Sequence, residues 1–511
     1  MAIAIVCRWL TLRAMRGLTY IYVALVCGAV MASSSRADGT GREQAGVPAP
    51  KGLGDPHRPI LDVSALKPAP AIVPAGEESN RDLVGATIRK DLEAIVGFAK
   101  ADRARGEMAW GRITGFRGAD ETHAWVLQQF KAAGLRDPET QTYTATQATW
   151  HPKRWEVKAI ADGREAVLES AFPTSGSQLT APITAPLIFV GKTTAAALPD
   201  VDVKGKVAVQ TLHPQAGAFS ERTRTTERAR ELAKRGALAV LNVIEQAGNM
   251  YVRDFSNCGV PCFNVGTDDG RFITTVLEKG GDVRARITLE TEMLDALKGH
   301  NTIGTIRGKR DDEIVIVNAH ADGWFDAAGD NGDGLAVLIA LARHFAKPEH
   351  QPDRTLLFVA SGGHHGGGMN GPGNLVTMNP SLKGKVVLVL NLEHIAQYQF
   401  RNDPFRVDAN EQPMGFGISN EAPAIADVAR RAMQRYGFAL RPEFSNSIAG
   451  DLGGYAPLNV ARVQAIHAGP MYHTSGDTLD TISTPGLERA ARFYAYFVAE
   501  VARTDRHALN P

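Results

Sequence analysis

From residue 297 onward the chain alternates short apolar runs with segments of helical period. This alternation constrains the fold more than any other feature. Glu313–Asn318, Arg354–Ala360, Lys385–Leu392 and Val463–Ala468 read as strands. Gly334–Ala346, Ala424–Tyr436 and Gly486–Arg503 read as helices. The pattern predicts an α/β fold, a mostly parallel (mixed) sheet sandwiched by helices. In open sheets of this kind ligands bind beyond the carboxyl ends of the strands.

Those strand ends carry imidazoles and carboxylates. His320 and Asp322 follow the first strand, and Asp330 sits on a Gly-Asp-Asn turn before a helix. His364 and His365 follow the strand Arg354–Ala360. Glu393 ends the strand Lys385–Leu392, and His473 follows Val463–Ala468. Imidazole and carboxylate are zinc ligands. A carboxylate can bridge two cations with its two oxygens, which imidazole cannot do, and Asp330 suits that place. Asp322 is positioned to receive the free ring N–H of His320 and so fix its tautomer. The pattern fits a hydrolase using two ions about 3.5–4 Å apart.

The rest of the chain frames this constellation. A length of 511 residues implies more than one domain, and 44% apolar with 22% charged residues is ordinary for a globular protein with a real core. The net charge of +1 comes with no basic patch or basic helix, which argues against a nucleic-acid partner. Arg8, Arg13 and Arg16, the apolar stretch Leu18–Ala32 and Ser35-Arg-Ala read as a signal peptide over residues 1–37. The expected address is secreted or periplasmic, without stable membrane insertion after cleavage. The alternative is an uncleaved anchor, but the apolar run is short for a span of about 20 residues. Residues 38–80 form a Pro/Ala/Gly-rich leader. Residues 81–175 begin the main domain with two helices, Asp82–Lys100 and Thr122–Ala133. Residues 176–296 read as a separate module of short strands and one helix, Glu221–Arg235. Residues 297–511 complete the main domain and carry the site. Cys258 and Cys262 are the cysteines left after the signal, and in an oxidising compartment they would close a small loop.

Two resemblances follow from these residues. Gly205-Lys-Val-Ala-Val, the stretch 229–244 and Val260-Pro-Cys-Phe-Asn-Val-Gly resemble the protease-associated (PA) domain, a small β-rich insert of secreted peptidases. Asn318-Ala-His-Ala-Asp, Gly329-Asp-Asn-Gly-Asp-Gly-Leu-Ala, Arg354-Thr-Leu-Leu-Phe-Val, Asn391-Leu-Glu and Tyr472-His-Thr-Ser-Gly-Asp-Thr resemble the co-catalytic zinc aminopeptidase family, which includes glutamate carboxypeptidase relatives. The resemblance implies a zinc-exopeptidase-like fold and two zinc ions. One would be held by His320, Asp330 and Glu393, the other by Asp330, His365 and His473. Asp451 matches a family Asp near the site. His394 and His467 match no family ligand, and core or supporting roles are expected of them.

The sequence departs from the family at 364 and 365, where the family carries Glu-Glu. The first Glu is the family's general base and the second a ligand. His365 can serve as a ligand. His364 would have to act as base, which neutral imidazole can do near pH 7. Glu393 replaces a shorter Asp. The expected function is a secreted metal-dependent aminopeptidase acting on the N-terminus of a peptide or protein. The alternatives are a catalytically impaired metal- or peptide-binding relative, and a carboxypeptidase on the same scaffold.

Overall fold

The computed structural model describes residues 63–511, apart from residues 194–197, 214–218, 247, 254–257, 403–404, 445–449, 468 and 470. The signal expected over 1–37 and the first part of the leader lie outside the described residues. Among the described residues, no helix is long and apolar enough to cross a membrane.

The main sheet has eight strands in the spatial order Leu440–Phe444, Met414–Ile418, Ala461–Ile466, Val386–Leu392, Arg310–His320, Arg354–Ser361, Lys298–Ile306 and Arg136–Thr144. The four in the middle, from Ala461–Ile466 to Arg354–Ser361, run parallel. The antiparallel pairings lie further out. Every residue of Arg354–Ser361 and of Val386–Leu392 is buried, as expected of parallel strands covered on both faces. Side chains alternate between those faces. Phe358 and Ala360 join one core with Val315 and Val317, while Leu357 and Val359 join another with Ile316 and Leu375. The first core is closed by helices Gly85–Ala104, Asp333–Phe345, Pro423–Tyr436 and Thr484–Arg503. Asp333–Phe345 is buried on nearly all sides, which explains why its sequence is apolar all round rather than striped. Expected helices and strands recur within a few residues of their expected ends, which is the usual uncertainty of boundaries.

A second eight-stranded sheet takes its strands from Thr149–Ala161 to Val283–Leu294. It begins upstream of residue 176, because Thr149–Ala161 pairs antiparallel with Val283–Leu294 along nearly its whole length. Cys258 and Cys262 are joined by a disulfide in this lobe. The two lobes share apolar contacts. Trp110 and Phe325 pack in one cluster with Trp155, Phe172 and Tyr251.

Candidate metal centre

Parallel pairing sets three strand ends side by side. His320 is in register with Ser361, and Asn318 with Asn391. Each chain leaves the sheet one to four residues later, which brings His320, His364, His365, Glu393 and His394 to one rim. Asp330 arrives on the turn 328–332, immediately before helix Asp333–Phe345. His473 arrives on the loop after Ala461–Ile466.

The two oxygens of Asp330 face different neighbours. Oδ1 lies 3.3 Å from His320 Nε2. Oδ2 lies 3.3 Å from His365 Nε2 and 3.2 Å from His473 Nε2. Glu393 Oε1 is 3.8 Å from His320 Nε2. His320, Asp330 and Glu393 thus form one cluster of candidate ligands, and Asp330, His365 and His473 another. Ligands about 2.0–2.2 Å from a tetrahedral ion stand about 3.3–3.6 Å apart, close to the spacings found. His320 Nε2, Asp330 Oδ1 and His365 Nε2 are buried without a hydrogen bond. Buried polar atoms normally have partners, so these residues fit metal ions.

The electrostatics agree. Burial pushes the Asp330 carboxyl up, but His365, His394 and His320 outweigh it and hold the group well below its usual range. Burial lowers His365 to about 4, against the pull of Asp330, which favours the neutral ring a ligand requires. Glu393 is likewise held low, burial being outweighed by His364 and His320.

Supporting groups fix these atoms. His320 Nδ1 donates to the backbone carbonyl of Asp322 at 2.9 Å, while the Asp322 carboxylate is 3.5 Å away. The expected tautomer lock is therefore made by the carbonyl. The Asp322 carboxylate instead accepts the backbone N–H of His365 at 3.0 Å. It orders the loop that carries both histidines. His364 Nδ1 lies 2.8 Å from Asp451 Oδ1, and Asp451 Oδ2 accepts from Ser361 and Asn318. Asp451 stays ionised, its carboxyl held near 2 by His364 against the effect of burial. The Nδ1 atom must therefore be the donor, which makes Nε2 the atom that gains or loses a proton. Burial lowers the His364 pKa, but Glu393 and Asp451 carry it to about 9. Cations held by the surrounding ligands would oppose that rise. Gly450 lies against this pair. A Cβ there would meet Glu393 Oε2 at 3.0 Å, and its φ is +74°, so glycine alone fits without strain.

Three groups escaped the sequence reading. Asp477, within the Tyr-His-Thr-Ser-Gly-Asp-Thr stretch, accepts the N–H groups of Gly329 and Asp330 at 2.8 and 2.9 Å. Buried Arg112 donates to the carbonyls of Ala321, Asp326 and Ala327, clasping the segment between His320 and Asp330. Its signal was absent, since a lone Arg 200 positions upstream has no local pattern. The third is His394, expected in a core or supporting role. Its Nε2 reaches 3.6 Å from Asp330 Oδ1. From the second lobe, the Arg253 guanidinium stacks over Trp324, 4.7 Å from the ring centroid, and the Arg253 backbone N–H donates to the His473 carbonyl. Trp324 in turn lies against His365 and His473.

A parallel-sheet scaffold thus carries a cluster of candidate metal ligands at its strand ends. Residues 301–498 match the model of peptidase family M28, and this stretch is a domain of that family. Aminopeptidase YwaD of Bacillus subtilis is 22% identical over 379 residues, 70% of this chain and 75% of that protein. A probable glutamate carboxypeptidase of Arthroderma benhamiae is 31% identical over 97 residues, 18% of this chain but only 13% of that relative's length. The solved structure of a zinc aminopeptidase from Bacillus subtilis superposes with a TM-score of 0.57 at 18% identity, over 84% of this chain and 98% of the other. That likeness shows the shared α/β fold.

Proposed function

We propose that the chain is an exported zinc aminopeptidase that hydrolyses N-terminal peptide bonds with two ions. The observation that carries this reading is Asp330, whose two oxygens face separate sets of imidazoles. Such a carboxylate is arranged to bridge. Zinc ions at such a site polarise a carbonyl and make water a better nucleophile near neutral pH. His320, Asp330 and Glu393 would hold one ion, and Asp330, His365 and His473 the other. His364 takes the proton of the attacking water at Nε2, while Asp451 holds its Nδ1–H and keeps the ring turned to the site. Trp324, backed by Arg253, forms an apolar wall beside His365 and His473 and limits water there. Export rests on the N-terminal basic and apolar pattern.

The test combines zinc content with turnover of aminoacyl p-nitroanilides and of N-acetylated peptides with free C-termini. Two zinc ions with release of p-nitroaniline is the expected result. Turnover of the acetylated peptides alone would mean a carboxypeptidase. Bound zinc with no turnover on either panel would mean that His364 does not replace the family's carboxylate base.

A further inference from the structure

We infer that His394 is a fourth protein ligand on the Asp330 Oδ1 side of the centre, so that this ion is enclosed by the chain while the Oδ2 side keeps an open position. The inference rests on the two-ion reading above and goes beyond it by assigning a residue that the family pattern does not.

Two imidazole nitrogens flank the same pair of oxygens. His320 Nε2 lies 3.3 Å from Asp330 Oδ1 and 3.8 Å from Glu393 Oε1. His394 Nε2 lies 3.6 Å from Asp330 Oδ1 and 3.7 Å from Glu393 Oε1. Two of the four spacings, 3.3 and 3.6 Å, fall on the edge of a tetrahedron about 2.0–2.2 Å in radius, about 3.3–3.6 Å, and the other two, 3.7 and 3.8 Å, lie just beyond it. The bland reading is a hydrogen-bonded core histidine. It fails on two counts. His394 has a side chain only 1% exposed, and neither Nδ1 nor Nε2 has a hydrogen bond. A buried imidazole with both nitrogens unsatisfied is costly unless something absent from protein atoms meets one of them. The backbone of His394 is also held at φ +54°. Residues other than glycine are uncommon there, and such strain collects where structure serves a ligand. The two N–H groups that follow, of Ile395 and Ala396, are both taken by Asp333 Oδ2 at 3.0 and 2.8 Å. Those bonds hold the turn that aims the ring inward.

His364 is the competing imidazole, with Nε2 3.7 Å from Glu393 Oε1. Its ring is 13% exposed and tied to Asp451, and it stacks face to face on His320 at 4.0 Å. Of the two rings His364 is therefore the one nearer solvent, whereas His394 is fully buried. With His394 counted, the Oδ1 side has four protein ligands, the number of a closed site. The Oδ2 side has three, Asp330, His365 and His473, the number of a site that leaves room for substrate or water.

The experiment is zinc titration of the chelator-stripped full chain and of His394→Asn, by calorimetry and by competition with a chromophoric chelator. Asn tolerates positive φ and removes Nε2. The wild type is expected to bind one ion tightly and one more weakly. His394→Asn is expected to weaken the tight ion by about 100-fold or more, since even groups that only support a ligand are worth about 10–100-fold. The weaker ion should remain, and metal-free melting should stay close to wild type while the zinc-induced rise in Tm shrinks. Two ions in the wild type with unchanged affinities in His394→Asn would overturn His394 as a ligand and leave the two-ion reading standing. A single wild-type ion that His394→Asn weakens would keep His394 and sink the two-ion reading. No zinc uptake by the wild type would sink both. Should His394→Asn fail to fold, His394→Gly, which relieves the backbone at this φ, is titrated in its place with the same outcomes.

Discussion

Asp477 offers a sharp test of how the Asp330 turn is held. Asp477→Ala removes the acceptor for two buried backbone N–H groups, those of Gly329 and Asp330, and for the buried side-chain amide of Gln397. The two orphaned backbone donors cost about 1–3 kcal/mol each, or about 2–6 kcal/mol together. An opposing effect depends on pH. Burial and the nearby Asp330 raise the Asp477 pKa from 3.8 to about 7. The folded metal-free protein therefore keeps a proton there that the unfolded chain has lost. Across this window the wild type loses stability as pH rises, by about 1.4 kcal/mol per pH unit at most. Above the folded pKa the loss is complete. The alanine variant lacks this slope. Its deficit against wild type should be large at pH 5 and smaller at pH 8, by about 3 kcal/mol. Urea denaturation of both chelator-stripped proteins at the two pH values reads the difference directly. Equal deficits at pH 5 and pH 8 would refute the account of Asp477 as a buried carboxyl with a raised pKa. No deficit at pH 5 would refute its role in holding the turn.

Other expectations concern the base, a ligand, the second lobe and the core. His364→Ala should lower kcat by about 10²–10⁴-fold with zinc content unchanged, and a variant with full kcat would exclude His364 as the base. His365→Ala should lose zinc on dialysis, because it deletes one of the three candidate ligands Asp330, His365 and His473, and metal analysis at full occupancy would count against it. A loop-closed deletion of residues 149–294 removes the backbone partner of His473 and the cover of Trp110 and Phe325. It should bind zinc more weakly and melt lower, while an unchanged zinc titration would show that the lobe does not brace the site. Phe358→Ala empties a fully buried position in the main core and should cost about 3–5 kcal/mol in chemical denaturation. A loss under about 1 kcal/mol would mean the core collapses around the gap.

Local physics made much of this protein legible in one dimension. The apolar runs behind His320, His365 and Glu393 announce buried strands, because a parallel strand covered on both faces has no polar side to reveal. The helix after Asp330 is equally plain. Residue type and strand-end position then pick out His320, Asp330, Glu393 and His473, since few side chains hold metal and few places in an α/β sheet present them together. What spacing cannot carry is orientation and long-range pairing. The second sheet starts at Thr149 because that strand pairs with Val283–Leu294, more than a hundred residues away. Whether His320 is locked by the Asp322 carboxylate or carbonyl depends on about half an ångström. Arg112 and Asp477 grip the Asp330 turn from opposite ends of the chain. The sequence predicts only a core or supporting role for His394, whereas a left-handed backbone, pinned by Asp333, turns its ring toward the oxygens of Asp330 and Glu393. Sequence periodicity says which side chains leave a sheet at its rim. Only the tertiary fold decides which of their atoms meet, because that depends on dihedral angles set by contacts from elsewhere in the chain.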